Sequence, residues 1–179
     1  MPRRRPQLIV GLLLGILLVM PSRLSAQGQP TKDDVRVAVQ RFYNWYVPFS
    51  VTAHGRPWMA ALQHPGISFS PELVRALVQD SIAQARSGDE LVGLDYDPLL
   101  NAQDACEHYT VRSVRQAGTR FVVTIGGGGG CDSSSAPRIV AELTAKHDSL
   151  VFVNFRDPAQ PESDLLSTLR RLHSSERPR

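Results

Sequence analysis

The chain has 179 residues, 42% of them hydrophobic, with 20 Lys and Arg against 17 Asp and Glu and a formal net charge of +3. That is the size of one ordinary domain with a core of its own. Four arginines, Arg3, Arg4, Arg5 and Arg23, lie in the first 26 residues, and without them 16 basic residues face 17 acidic ones, so the overall charge gives no support to nucleic-acid binding.

Arg3 to Arg5 precede 13 residues, Leu8 to Met20, that hold only apolar side chains and two glycines. This is the layout of a secretory signal. The run is broken by Pro21, Ser22 and Arg23 before it reaches the roughly 20 residues that a membrane-spanning helix needs. The expectation is cleavage after Ala26, export to the periplasm or beyond, no stable membrane anchor afterwards, one domain over 27–173 and a basic tail over 174–179. Arg170, Arg171, Arg177 and Arg179 in that region suit the negative end of a helix dipole.

After Thr31, the spacing of Val35, Val39, Phe42 and Tyr46 predicts a capped amphipathic helix that ends before Pro48. Pro57 to Leu62 reads as a short helix, and His64-Pro65-Gly66 as a turn. Ser70 caps a third helix with Pro71 at its first position, a buried stripe of Leu73, Val74, Leu77, Val78 and Ile82, and Gly88 at its close. Asp97-Pro98 predicts one or two helical turns through Ala102.

Strands follow. Residues 107–116 and 120–125 form a hairpin across Ala117-Gly118-Thr119, and 138–146 pairs with 150–155 across 146–149. The apolar phase switches between Val111 and Val114, which predicts a bulge and hence a curved sheet. Leu165, Leu166, Leu169 and Leu172 give a short C-terminal helix. The plan is α+β: N-terminal helices on a curved antiparallel sheet of about four strands. Counting outward from the first hairpin brings Cys106 within two or three positions of Cys131, and the glycines 126–130 absorb the slip, so a disulfide is expected.

Phe42-Tyr43-Asn44-Trp45-Tyr46 and the segment from Leu94 to Asp104, with its Asp95-Tyr96-Asp97-Pro98-Leu99-Leu100 core, resemble the bacterial exported family catalogued as domain of unknown function 3828. The likeness spans roughly Val35 to Leu172, with Leu150 or Phe152 where the family often has Trp in the last strand. It implies a nuclear transport factor 2-like cone with a pocket and no particular activity, since that superfamily hosts isomerases, dehydratases and binding modules alike.

Candidate chemistry is sparse. Asp95, Asp97, Asn101 and Asp104 lack the glycine and terminal glutamate of a calcium loop, the histidines at 54, 64, 108, 147 and 173 lack zinc spacing, and residues 126–135 lack a phosphate-loop ending. No cofactor is implied. The pocket candidates are Trp45, Tyr46, Asp95, Tyr96, Asp97, Gln103 and Asp104. The reading is a non-enzymatic exported binding module for a small molecule or a protein. Its alternatives are an acid/base enzyme of isomerase or dehydratase type using Asp104, His108 and Tyr109, and an inhibitor or immunity-type protein marked by an exposed apolar patch on the sheet.

Overall fold

The computed structural model describes residues 29–87, 92–131, 136–146 and 149–175. The leader with its cut after Ala26, Gly88, residues 132–135, His147, Arg177 and Arg179 fall outside these.

Helix α1 (Lys32–Thr52) opens on a capping box: the Asp34 backbone N–H donates to Thr31 Oγ1 at 3.2 Å, and the Thr31 N–H donates to the Asp34 carboxylate at 2.8 Å. Val35, Val39, Phe42, Tyr43, Tyr46 and Val47 form its buried stripe. The helix does not stop before Pro48 but runs one further turn. Pro48 and Asn44 are both exposed, so the Asn44 carbonyl that loses its donor faces water, while Phe49, stacked on Trp45, holds the added turn to the protein.

Helix α2 (Pro57–Ala61), strand β1 (Ser68–Phe69) and helix α3 (Pro71–Arg86) follow. The α3 stripe is turned from its expected position. Leu73, Leu77 and Asp80 are buried, whereas Ile82 is 44% exposed. Nine residues at 3.6 per turn place Ile82 diametrically opposite Leu73. A fully buried carboxylate thus stands where only apolar residues were expected.

The four long strands are β2 (His108–Ala117), β3 (Arg120–Gly128), β4 (Pro137–Lys146) and β5 (Ser149–Arg156), and helix α4 (Leu165–Ser175) ends the described chain. The sheet is open, in the order β1-β5-β4-β3-β2. It has five strands rather than four and is mixed, because β1 pairs parallel to β5 through Ser68 with Val151 and Phe69 with Phe152. Two residues carry no readable alternation, and their partner lies some eighty positions away. Bulges interrupt the ladders at Val111/Ser113, as the phase switch predicts, and also at Ile125/Gly126 and Glu142/Leu143.

The hairpin between β2 and β3 closes on Gly118-Thr119 alone, with Gly118 at φ +61°. Gly126, Gly127 and Gly128 belong to β3, opposite Thr110, Tyr109 and His108, so the glycine run is mostly sheet and not a loop. Gly127 has a steric reason: a Cβ there would sit 2.4 Å from Cys106 Sγ. Cys106 and Cys131 form the expected disulfide across the hairpin base, with Cα atoms 5.0 Å apart.

Helices α1, α3 and α4 pack on the inner face of the sheet, where Val123, Ile125, Ile139, Ala141 and Leu143 meet Phe42, Tyr43 and Leu169. The free edge of β2 is occupied by α1 side chains. Gln40 Nε2 donates to the Tyr109 carbonyl at 2.8 Å, its Oε1 accepts from Val111 N–H at 2.9 Å, and Arg36 donates to the Val111 carbonyl at 2.9 Å.

Candidate functional site

The two sequence segments singled out above meet in space. Tyr43 on α1 donates to the Leu99 carbonyl at 3.0 Å, and Tyr46 donates to Asp97 Oδ2 at 2.6 Å. Asp97 Oδ1 accepts from the N–H groups of Leu99 and Leu100 at 2.9 and 3.2 Å. The carboxylate therefore caps the turn, as expected of an Asp before Pro98. Helix does not follow. The chain closes through paired backbone bonds between Asp97 and Ala102, with Asn101 at φ +51°. Burial raises the Asp97 carboxyl above its ordinary range against the lowering effect of Tyr46 and the two amides, and burial with the adjacent Asp97 charge raises the Tyr46 phenol.

This pinned turn stands between two cavities that share Asp95, Tyr96 and Gln103 as a common ridge, on which Gln103 donates to Asp95 at 3.1 Å. The smaller, of about 310 Å³, lies between the ridge and the segment joining β5 to α4, with Arg156, Asp157 and Thr168 in its wall. The larger is an open groove of about 1500 Å³ that runs past Asp97 and Asp104 to Arg56, Trp58 and Gln84.

A partly buried polar chain fixes the far wall of the groove. Arg56 donates to Gln84 Oε1 at 2.8 Å and to the Ser81 carbonyl at 3.1 Å, and Gln84 donates in turn to Asp80 Oδ2 at 2.6 Å and to the Leu94 carbonyl at 3.0 Å. Gly93, at φ +81°, presses so close that a Cβ would lie 2.4 Å from Asp80 Oδ1. That oxygen has no hydrogen-bond partner, nor has His173 Nε2 on α4, 3.9 Å away. The gap is too long for a hydrogen bond.

Burial raises the Asp80 carboxyl above its ordinary 3.8, with Leu94, Gln84, His173 and Arg56 each pulling it down. The folded protein therefore holds this proton more tightly than the unfolded chain does. The resulting stability is full below about pH 3.8 and is lost as pH rises through the elevated value. Asp80→Asn keeps the acceptor for Gln84, offers His173 a donor and removes the buried charge. We expect it to flatten this part of the pH profile and to be more stable than wild type at neutral pH, whereas Asp80→Ala, which strands the Gln84 amide, costs about 1 to 3 kcal/mol. Thermal melts of the three proteins from pH 3 to 8 check this, and parallel curves for wild type and Asp80→Asn refute it.

The other expected site residues are dispersed. Trp45 stacks on Phe49 and lies 3.9 Å, centroid to centroid, from the His64 ring, and it lines neither cavity. Asp104 is exposed in the groove wall. His108 is exposed on the outer sheet face, packed over Gly128, while Tyr109, next along the strand, points inward and donates to the Leu100 carbonyl at 3.4 Å. Among the described residues no three His, Cys, Asp or Glu side chains are placed to hold a metal ion.

No family model, curated protein or solved structure matches this chain. The Asp80–Gln84–Arg56 chain escaped sequence reasoning because an Asp and a Gln four apart on a helix read as solvent-facing. The one available signal was that Asp80 follows Leu73 and Leu77 on the same face.

Proposed function

We propose that the protein is an exported, non-enzymatic module that binds a small molecule in the groove between α3 and the pinned 97–102 turn. The observation that carries this reading is the preorganised wall. Arg56, Gln84, Asp80 and the Leu94 backbone hold one side, and Tyr46 on Asp97 holds the other. A cleft between two fixed walls needs no ordering when it takes its ligand.

The acid/base alternative asks for Asp104, His108 and Tyr109 in one cavity, and the strand sends the last two to opposite faces. The inhibitor alternative asks for an apolar patch on the sheet. The large hydrophobic side chains exposed among the described residues, Val37, Val51 and Ile82, are on helices. Export is supported by the disulfide, which persists in oxidising compartments. Among the described residues no helix is long and apolar enough to cross a membrane. The nuclear transport factor 2-like assignment draws support from the open curved sheet with helices on its inner face, and from the bonding of the two resembling segments to each other.

The lining contains Asp95, Asp97 and Asp104 with Tyr96 and Trp58 against a single cation, Arg56, that is engaged by Gln84 and Ser81, and this acidic excess favours a ligand with a cationic or donor-rich head and an apolar body. A thermal-shift screen of small cationic, neutral and anionic metabolites is expected to return cationic hits that bind unchanged in mass. Asp95→Asn, at an exposed position, is expected to weaken such hits at least tenfold without lowering the melting temperature of the free protein, and Tyr96→Ala to weaken them as much while also removing packing against the core. Hits insensitive to both variants, or turnover of a hit, would refute the reading.

A further inference from the structure

The charge that averages out along the chain is segregated in the fold. The four long strands hold six basic residues, Arg112, Arg115, Arg120, Arg138, Lys146 and Arg156, and one acidic residue, Glu142. Strand alternation and cross-strand pairing put five of them on the outer face. Arg115 pairs with Val122 beside Arg120, and Lys146 follows the outward Glu142 and Thr144. Arg112 lies over Gly126, and Arg156 meets Glu142 beside Arg120. With Glu142 already shared by two guanidinium groups, this face carries four positive charges in excess. The acidic side chains of Asp95, Asp97, Asp104 and Asp157 stand around the cavities on the helix side.

Between the cations the face carries Thr110, Ser113, Thr124, Gly126 and Thr144, with His108 at one end and the half-buried Val122 and Val140 toward its middle. Among the described residues it offers no Trp, Tyr or Phe and no exposed large hydrophobic side chain of the kind that anchors protein–protein contacts, and no aromatic platform for stacking bases. What remains is a two-dimensional cationic array, about three strand spacings or roughly 14 Å across, whereas the helix side carries both signs, with Arg36, Arg75, Arg86 and Arg170 among its cations. Such an array matches an extended anionic plane, toward which a face of one sign is drawn more strongly than a face of mixed sign.

We propose that the outer face of the sheet docks the protein reversibly on anionic lipid headgroups, leaving the groove turned away from the bilayer. The contact is electrostatic, without insertion, and independent of what the groove binds. Its test uses the chain from Gln27 onward, which keeps every described element and lacks the basic, apolar leader. Sedimentation with vesicles of phosphatidylglycerol and phosphatidylcholine is expected to carry the protein down at about 25 mM salt and to release it at about 300 mM. Vesicles of phosphatidylcholine alone should not bind it. Arg112→Ala, Arg115→Ala and Lys146→Ala, all at exposed positions, should each weaken binding about fivefold. Equal binding to both vesicle types, a triple variant that binds like wild type, or capture only by a soluble acidic polysaccharide or acidic protein overturns the proposal.

Discussion

Replacing Cys106 and Cys131 together by alanine is expected to lower the stability of the protein by about 3.5 kcal/mol, the chain-entropy value for a bridge closing the 25-residue separation. For a domain of this size that corresponds to a fall in melting temperature of roughly 7 to 14 °C. The loop it closes contains the whole β2–β3 hairpin, so without it the unfolded chain regains the freedom of both strands. The native hairpin is shaped for the bridge, since Gly127 leaves space for Cys106 Sγ and Cys106 is fully buried. The alanine pair keeps that space uncrowded, and the loss combines the cross-link with the packing of the buried Cys106 sulfur. Calorimetry of the oxidised protein beside the double variant checks this, and a shift under 2 °C would refute it.

Phe42→Ala is expected to cost about 3 to 5 kcal/mol, the range for a phenylalanine deleted from a packed core. Phe42 is 3% exposed. Its ring stacks on Tyr46 at 5.3 Å and meets Tyr43, Phe69 and Phe152 at 5.0, 6.2 and 5.2 Å, so one side chain ties α1 to both β1 and β5. Its loss also loosens Tyr46, whose hydroxyl holds Asp97 at the groove. Phe42→Leu, closer in volume, should cost less than about 1.5 kcal/mol. Urea denaturation of both variants reads the difference, and equal midpoints for the two would refute the expectation that a side chain closer in volume recovers most of the loss.

The elements legible in the sequence are those whose determinants are local. Thr31 with Asp34 and Ser70 with Pro71 mark helix starts because capping is settled within four residues. The phase change after Val111 marks the bulge because alternation is a nearest-neighbour property. The hairpin count that paired Cys106 with Cys131 succeeded for the same reason. What escaped was set by tertiary partners. The extra turn of α1 past Pro48 depends on which carbonyl faces water, and β1 exists because Phe152 lies beside Phe69. The inward turn of Asp80 depends on Gln84 and the Leu94 backbone.

The candidate site divides along the same line. Asp95, Tyr96, Asp97, Gln103 and Asp104 line the groove from one short loop, and their proximity could be read directly. Arg56, Gln84 and Trp58 reach it from other elements and carried no signal alone. Charge was misjudged by averaging, since one total hides a basic sheet behind acidic loops; counting strand by strand reveals it.

The side-chain amide of Gln40 has a consequence for how the molecule meets its own kind. At Tyr109 and Val111 an incoming peptide finds the carbonyls and the amide already engaged by Gln40 and Arg36. Further along β2 it would have to approach the charge of Arg115. A glutamine thus acts as a one-residue stand-in for a sixth strand, ending lateral growth at the protein's own boundary and keeping each copy discrete where many are crowded together.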